Sequence, residues 1–339
     1  MNWRTYLWPF TVPLVCALQL LLGERAAFLT TGFVFGVIPL IDALLPADTV
    51  NIEPRDEERV TASAAFRRLL YAAILADTAV LALGLTQAHR FGAVEMIGAA
   101  LGVGLVTGGV GITVAHELLH KTHRTERFFA HLALVEVGYL HFVIEHVFGH
   151  HVRAATPDDP ATARRGESVY AFVVRSVRDS WRSAWNLEGR RLARVGAVPF
   201  SVRNVMFVYT VAPLLLAIGV LRVLGLPALV LFVAQAVVAV VLLEIVNYIE
   251  HYGLVRARQG ERYEPFGARH AWDSDAWLSN RILFRLSRHA DHHRNAMRPY
   301  SILRRLDESP KMPTGYPGMM LLSLVPPLWR AVMHPRLRD

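Results

Sequence analysis

The chain has 339 residues, of which 53% are hydrophobic and only 19% are charged, and its formal net charge is +8. This length allows one large domain or two small ones. The apolar content is high for a soluble enzyme, and the apolar residues cluster in runs near the ~20 residues that cross ~30 Å of hydrocarbon. We therefore expect an integral membrane protein, and we attribute the basic charge to membrane topology in preference to nucleic-acid binding.

The hydropathy pattern predicts an all-α fold, with residues 1–339 as a single membrane domain of six transmembrane helices. In chain order the predicted spans lie near residues 7–22, 26–45, 69–88, 93–115, 204–224 and 226–246. The first run could be a signal peptide, but no A-x-A-like site follows it, which favours an uncleaved span. Residues 128–145 are apolar but carry His131, Glu136 and His141, so we interpret them as a re-entrant or interfacial helix.

Some residues within the predicted spans are unusual for a membrane helix. Intramembrane carboxylates are costly and usually face the bundle interior. For Asp42, Glu244 and above all Glu95, the alternative is a position near a span end, within reach of water. Asp77 lies well inside its run. The fourth span carries four glycines, which indicate close helix packing or room for a channel: Gly102, Gly104, Gly108 and Gly109.

Arginine placement predicts the orientation in the membrane. The segment between spans two and three, the segment 116–203 and the C-terminal tail are rich in Arg, whereas the alternate loops carry only Arg25, Arg90 and Arg222. By the positive-inside rule, both termini and the large segments 116–203 and 247–339 are predicted to be cytoplasmic, in an inner (plasma) membrane. The single cysteine, Cys16, excludes an internal disulfide, a thiolate iron–sulfur cluster and a fused rubredoxin-type module. Any electrons must therefore come from a separate protein.

Nine of the fifteen histidines fall into four short clusters after predicted spans or in the two large segments. Residues i and i+3 or i+4 share one face of a helix, so His116/His120, His146/His150 and His289/His292/His293 can each aim imidazoles at one point. Nine ligands exceed what one ion can use, so two metal ions are implied. The predicted ligands are His116, His120, His146, His150, His151, His251, His289, His292 and His293.

The carboxylates within the clusters have a predicted role beside the metal. A metal-bound imidazole usually donates its other N–H to a carboxylate or carbonyl, which fixes its tautomer. We expect Glu117, Glu145, Glu250 and Asp291 to act in this way, with solvated helix-face charges as the alternative. The other six histidines are interpreted as structural or solvated, with His141 a candidate for contact with the ligands: His89, His123, His131, His141, His270 and His334.

Three metal classes fit parts of this pattern. His116-Glu-Leu-Leu-His120 matches the zinc-protease motif with Glu117 as general base, but a protease leaves most of the other histidines unexplained. Soluble di-iron bundles use Glu-x-x-His pairs, and these clusters are too rich in histidine. A nearly all-histidine site without cysteine fits iron that performs oxygen chemistry beside the lipid phase.

The four clusters resemble those of the membrane-bound alkane 1-monooxygenases, within the superfamily of histidine-cluster membrane desaturases and hydroxylases. The resemblance covers most of the chain after about Ile38, and its most specific element is Asn247-Tyr-Ile-Glu-His-Tyr-Gly-Leu254. The other matching motifs are His116-Glu-Leu-Leu-His-Lys121, Glu145-His-Val-Phe-Gly-His-His-Val-Arg-Ala-Ala-Thr-Pro-Asp-Asp-Pro160, Leu286-Ser-Arg-His-Ala-Asp-His-His293, Gly166-Glu-Ser168, Ser183-Ala-Trp-Asn-Leu-Glu188 and Gly315-Tyr-Pro-Gly318.

This resemblance implies six spans, two non-haem iron ions held by the nine histidines, and O₂ as co-substrate. It implies hydroxylation of the terminal methyl of medium-chain n-alkanes that enter from the bilayer, with electrons from rubredoxin and an NADH-dependent rubredoxin reductase. The same family shape covers xylene-type enzymes that hydroxylate a methyl group on an aromatic ring. A fatty-acyl desaturase or hydroxylase is a further alternative.

Overall fold

Helices dominate residues 3–337, the part of the chain that the computed structural model describes. Within this range the β-strands form one antiparallel pair, β1 (Arg258–Gln259) and β2 (Arg262–Tyr263), with Arg258 opposite Tyr263. The α-helices are α1 Thr11–Leu22, α2 Leu29–Gly32, α3 Ile38–Leu44, α4 Pro54–Ala62, α5 Ala64–Gln87, α6 Ala93–Val106, α7 Thr113–Leu119, α8 Arg124–Glu136, α9 Phe142–Ile144, α10 His151–Arg153, α11 Val169–Arg194, α12 Val205–Leu224, α13 Leu226–His251, α14 Trp277–Ile282, α15 His289–Arg294, α16 Tyr316–Ser323 and α17 Pro326–Met333.

Three wider π-helical turns join some of these helices end to end. They cover Phe33–Val37, Thr107–Ile112 and Glu145–His150. Short 3₁₀ turns occupy Trp3–Tyr6, Trp8–Phe10, Gly23–Ala26, Ala88–Arg90, Ala268–His270, Tyr300–Ile302 and His334–Arg336.

Among the described residues, five helices are long and apolar enough to cross a membrane: Trp3–Ala26, Ala64–Arg90, Ala93–Leu119, Val205–Leu224 and Leu226–His251. They correspond to five of the six predicted spans. The predicted span at 26–45 is a shorter apolar helix, Leu29–Leu44. At ~1.5 Å of rise per residue it is shorter than the ~30 Å hydrocarbon core. The all-α fold and five spans are confirmed, whereas a sixth span is not.

The first two apolar helices form a hairpin that returns to the end at which it begins. The ring of Trp8, before α1, lies 5.9 Å from the ring of Trp277, the first residue of α14. Asp42, near the end of α3, reaches the same helix, because its Oδ1 accepts the backbone N–H of Leu278 at 2.7 Å. Asp42 thus lies near the end of α3 and caps the start of α14. This agrees with the interpretation that places Asp42 near a span end.

Close packing of the fourth predicted span against α13 depends on two of its glycines. A Cβ on Gly104 would lie 2.5 Å from Cβ of Val238, and one on Gly108 would lie 2.8 Å from Cα of Ala239. Gly102 instead faces the Gln19 amide, which donates to the carbonyl of Gly98 at 2.8 Å. Gly109 lines a cavity. The glycine stripe therefore serves both of the roles that its sequence allows.

The segment after His123 forms a helix that reaches the middle of α13. Helix α8 ends at Glu136, where the backbone carbonyl accepts the side-chain amide of Gln235, in the middle of α13, at 3.0 Å. The chain then reverses at Gly138, whose φ is +67°, a conformation that favours glycine. A re-entrant or interfacial position stays a prediction, and the helix stops at Glu136 and does not continue to residue 145.

The remaining carboxylates within the spans divide between the interior and a helix end. Asp77 is fully buried, and Glu244 is 1% exposed and accepts the Tyr139 hydroxyl at 2.7 Å. Glu95 accepts the backbone N–H of Gly92 at 2.8 Å and so caps the start of α6. Asp77 and Glu244 therefore face the bundle interior, whereas Glu95 lies at a helix end.

We expect Gly108→Ala to destabilise the protein and Gly109→Ala to leave it nearly unchanged. The new Cβ at 108 meets backbone atoms of α13, whereas at 109 its nearest neighbour is Cδ2 of Leu242 at an ordinary 3.8 Å. Overpacking of this kind costs roughly 1–3 kcal/mol. Thermal unfolding of the two purified variants measures the difference, and equal unfolding temperatures would contradict the assigned packing.

Candidate metal centre

Four parts of the chain bring the predicted histidines to one end of the bundle. α7 carries His116 and ends beside His120, and α13 ends at His251. The remaining ligand candidates come from the π turn Glu145–His150, from the first residue of α10 and from α15. They are His146, His150, His151, His289, His292 and His293. Because the spans fix α7 and α13, two of the four clusters are anchored directly in the bundle.

The nine histidines form two groups. The first contains five residues and the second four, and within each group one ring nitrogen per residue lies within 4.8 Å of all the others. The first group is His116, His120, His146, His151 and His292, and the second is His150, His251, His289 and His293. This division suits two metal ions, one for each group.

The division of the clusters differs from the prediction based on α-helical spacing. His146 and His150 belong to different groups, and His146 shares its group with His151 instead. The cause is the π turn Glu145–His150, whose i→i+5 bonding places residues five apart on one face. In α15, His289 and His293 share a group as expected from their i,i+4 spacing, whereas His292 faces the other group.

The ring nitrogens of each group lie close together, at distances that either a hydrogen bond or a shared metal ion can explain. Nε2 of His146 lies 3.1 Å from Nε2 of His120 and 2.9 Å from Nε2 of His151. In the second group, Nε2 of His150 lies 3.2 Å from that of His293. A hydrogen bond can relieve only one such pair at a time, so the remaining lone pairs repel unless a metal ion lies between them. The residues therefore fit a bound metal.

Burial keeps these imidazoles in the neutral form that binds metals. Loss of hydration lowers the pKa of His120 to about 3, helped by Lys121 and His150. Burial, together with the neighbouring rings, holds the pKa of His146 and His292 well below the ordinary histidine value. Imidazole ligands without thiolate suit iron, zinc, copper or nickel, so the donor set is consistent with a non-haem metal centre.

Two carboxylates lie beside ring nitrogens of the second group. Nδ1 of His150 donates to Oδ2 of Asp159 at 2.9 Å, and Thr162 donates to the same oxygen at 2.7 Å. Nδ1 of His289 lies 3.3 Å from Oε1 of Glu250. Glu250 was among the predicted positioning carboxylates and Asp159 was not. The signal for Asp159 was its place nine residues after His150, within the Thr156-Pro-Asp-Asp-Pro160 motif.

The other three predicted carboxylates have cationic partners in place of an imidazole. Glu117 pairs with Lys121 at 3.0 Å, and it also accepts the backbone N–H of Tyr300 at 3.2 Å. Glu145 pairs with Arg153 at 2.6 Å, and Asp291 with Arg298 at 2.9 Å. These contacts join the histidine-bearing segments to their surroundings, and they engage Glu117, which the zinc-protease alternative needs as a general base.

A buried arginine beside the last cluster holds α15 in place. The guanidinium of Arg288 donates to the carbonyl of Leu303 at 2.8 Å and to the carbonyl of Val50 at 3.0 Å. It also donates to Oδ1 of Asn51 at 3.1 Å. Arg288 is fully buried, so these bonds are sheltered from water. The chain between α3 and α4 thereby positions α15 and its His289. No sequence motif around Asn51 predicts this contact.

Most of the remaining histidines are structural, as expected. His131 Nε2 lies 2.9 Å from the Tyr209 hydroxyl, and His123 accepts the backbone N–H of Thr125 at the start of α8. His270 contacts Glu264, and His334 contacts the Tyr252 hydroxyl. His141 differs, because its Nε2 is buried and has no hydrogen-bond partner.

An apolar cavity lies between the spans on the membrane side of the second group. Its walls come from α1, the Leu29–Leu44 helix, the fourth predicted span, α13, α14 and α16, and include Ile38, Gly109, Leu242 and Tyr316. The Tyr316 hydroxyl donates to Oε1 of Glu250 at 2.7 Å, the oxygen that faces His289. Only Glu250 therefore lies between the Tyr316 end of the cavity and His289.

We expect Asp159→Ala to weaken metal binding about 10- to 100-fold, as loss of an oriented imidazole partner does. The matched control is Asp158→Ala, because Asp158 is its neighbour and is exposed. Competition with a chelator, followed by metal analysis, measures the effect. Equal metal retention by both variants would show that Asp159 does not support His150.

Known proteins share this arrangement of sequence. Residues 93–323 match the family model described as "Fatty acid desaturase". The chain is 42% identical to alkane 1-monooxygenase 1 of Pseudomonas aeruginosa, over 92% of this chain and 83% of that protein. It is 37% identical to alkane 1-monooxygenase 2 of Alcanivorax borkumensis, over 97% of this chain and 88% of that protein.

A more distant relative is named for a different substrate. The chain is 34% identical to the hydroxylase component of the xylene/toluene monooxygenase of Pseudomonas putida, over 72% of this chain and 65% of that protein. The similarity to the alkane enzymes is higher and extends further along the chain. Together with the apolar helices and the two histidine groups, it shows that the chain is an integral membrane monooxygenase that belongs to the alkane 1-monooxygenase family.

Proposed function

We propose that this protein hydroxylates the terminal methyl group of medium-chain n-alkanes to 1-alkanols, with O₂ as co-substrate. The observation that carries the proposal is the 42% identity to alkane 1-monooxygenase 1 of Pseudomonas aeruginosa, and a small apolar cavity that ends at Tyr316 and Glu250 beside the second histidine group supports it. An unfunctionalised chain offers no group for hydrogen bonding, so its recognition requires an apolar space that leads to the reactive centre.

We propose that the nine histidines hold two iron ions, five in the first group and four in the second. When bound, two such ions supply the reduction of O₂ and the transfer of one oxygen atom to a C–H bond. The contribution of the chain is to present neutral nitrogens and to hold them rigidly. Asp159, Glu250 and Arg288 fix the rings or the helix that carries them.

The cavity residues would orient the substrate and exclude water. Ile38, Leu105 and Leu242 provide an apolar surface along the cavity, and Gly109 leaves space within it. The Tyr316 hydroxyl donates its hydrogen bond to Glu250, so it does not need a water molecule as a partner at this end of the cavity. The cavity lies between membrane-spanning helices, which is consistent with substrate that enters from the bilayer.

We propose that electrons come from rubredoxin and an NADH-dependent rubredoxin reductase. The only cysteine, Cys16, is buried in α1, so the chain provides no thiolate cluster of its own. The end of the bundle that holds the histidines also carries exposed arginines, such as Arg182 and Arg190 on α11. A basic surface favours encounter with an acidic donor.

We further propose that the histidine groups face the cytoplasm and that Leu29–Leu44 completes six crossings of the inner membrane. The return of this helix to α14, where Trp8 also lies, supports an even number of crossings up to α4. The residues 1–339 would then form one membrane domain, with 116–203 and 247–339 as its catalytic segments. Their arginine content supports this orientation.

The main alternative is hydroxylation of methyl groups on alkyl-aromatics, which the xylene/toluene relative supports. A fatty-acyl desaturase or hydroxylase is favoured only by the family model. The three differ in their products: a 1-alkanol, a benzylic alcohol, or an acyl chain with a double bond or a hydroxyl group.

We expect the iron-loaded enzyme, supplied with rubredoxin, its reductase and NADH, to convert octane to 1-octanol that carries ¹⁸O from ¹⁸O₂. Gas chromatography with mass spectrometry, over a panel of alkanes and alkylbenzenes, identifies the products. Conversion of toluene or xylene alone would overturn the alkane assignment, and metal analysis that finds a single zinc would overturn the di-iron site.

We expect Gly109→Leu to shift activity towards shorter alkanes, with a loss of roughly tenfold for the longest chains accepted by the unmodified enzyme, because the added side chain fills the cavity. The control is Gly189→Leu on α11, where an added Cβ meets nothing within 4 Å. The measurement is the rate as a function of chain length. An unchanged profile for Gly109→Leu would show that the substrate does not occupy this cavity.

A further inference from the structure

A second opening lies on the opposite side of α13 from the apolar cavity. We call it the lateral groove: it is a mostly apolar furrow open to the membrane, with walls from α11, α12 and α13, and with Tyr139 and His141 at its inner end. Leu214 on α12 lies along it.

A small inner cavity lies beside the groove, next to the histidines. Tyr139 and His141 line both spaces, and the inner cavity also contains Glu145 and one histidine from each group, His146 and His150. The lateral groove and the inner cavity are therefore neighbours, with the side chains of Tyr139 and His141 between them.

The inner cavity is distinct from the cavity proposed for the alkane. Leu242 lines the apolar cavity, whereas Glu244 and Asn247 line the inner cavity. Residues two apart on an α-helix are separated by ~200° around its axis. Leu242 and Glu244 therefore face opposite sides of α13. The two spaces therefore lie on opposite sides of α13, and the inner cavity has the more polar lining.

Most polar groups at the inner end are paired, whereas Oε2 of Glu145 and Nε2 of His141 have no hydrogen-bond partner. The Tyr139 hydroxyl donates to Glu244 at 2.7 Å, and the Asn247 amide donates to the other oxygen of Glu244 at 3.2 Å. His141 is only 7% exposed, and its Nε2 has no hydrogen-bond partner. A buried nitrogen without a partner is costly, so it indicates that a bound molecule supplies the missing hydrogen bond.

The chemistry around His141 selects a neutral partner. Burial lowers the pKa of His141 to about 4, so the ring is neutral at pH 7 and can either donate to or accept from a hydroxyl. A molecule with one hydroxyl and a long apolar chain would satisfy both His141 and the groove. A primary alkanol, the product of the proposed reaction, has this chemistry.

We propose that the lateral groove binds a primary alkanol, with its hydroxyl on Nε2 of His141 and its chain between α12 and α13, and that it is the exit route for product. The inference rests on the proposed function for the identity of the alcohol. A hydroxyl is less favourable in the mostly apolar cavity on the other face of α13, whereas it gains a hydrogen bond at His141.

The test measures binding without turnover, in phospholipid nanodiscs without NADH, rubredoxin or reductase. A nitroxide spin label is attached at Leu214→Cys in the groove or at Leu215→Cys as a matched control. The two leucines are 58% and 61% exposed, and only Leu214 lines the groove. The native Cys16 is fully buried, so it should escape labelling. The ligands are 1-dodecanol, dodecane and dodecanoate.

We expect 1-dodecanol to change the spectrum of the label at 214 in a saturable manner and to leave the label at 215 unaffected. His141→Leu should weaken this response roughly three- to tenfold, the effect of one lost hydrogen bond, and His141→Gln should retain most of it. The response to dodecane should be the same in all variants.

Several outcomes would overturn the proposal. These are equal responses at 214 and 215, an unchanged 1-dodecanol response in both His141 variants, a stronger response to dodecanoate, or no response because a phospholipid chain fills the groove. Metal content and unfolding temperature report whether His141→Leu is folded, and His141→Gln provides the comparison if it is not. Octane hydroxylation, measured separately, shows whether the proposed function fails while alcohol binding stands.

Discussion

The structure depends on holding nine neutral imidazoles with their lone pairs towards two points. In the first group, Nε2 of His146 lies 3.1 Å from Nε2 of His120 and 2.9 Å from Nε2 of His151, and it can share a proton with only one of them at a time. The protein can keep such an arrangement only if the backbone on every side resists relaxation. The rest of the fold can be understood as a frame that provides this resistance.

The frame combines membrane helices with buried polar clamps. Gly104 in α6 and Gly108 in the following π turn let the fourth predicted span approach α13 closely, which fixes α7, the helix that carries His116, relative to the end of α13 at His251. On the opposite side, Arg288 ties α15 to the connection between α3 and α4. Charged groups are tolerated here because they are paired within the protein, where an unpaired charge would be costly.

The sequence was sufficient to predict the helical class, five of the spans and the nine residues that converge. These features depend on hydropathy and on local spacing, both of which are visible along the chain. The division into groups of five and four was not predictable, because the π turn at Glu145–His150 replaces the α-helical period. Pairs such as His150–Asp159, and both cavities beside the centre, arise from tertiary packing. The short helix Leu29–Leu44 shows that apolar composition alone overstates helix length.

The π turn has a consequence for how the two groups depend on each other. Within six consecutive residues the chain supplies His146 to the first group, His150 to the second and His151 to the first again. α15 divides in the same way, because His292 belongs to the first group and His289 and His293 to the second. The relative position of the two groups is therefore set by two short stretches of backbone. A one-residue deletion in either stretch would rotate the following histidines away from their own group, so it would disturb both groups together.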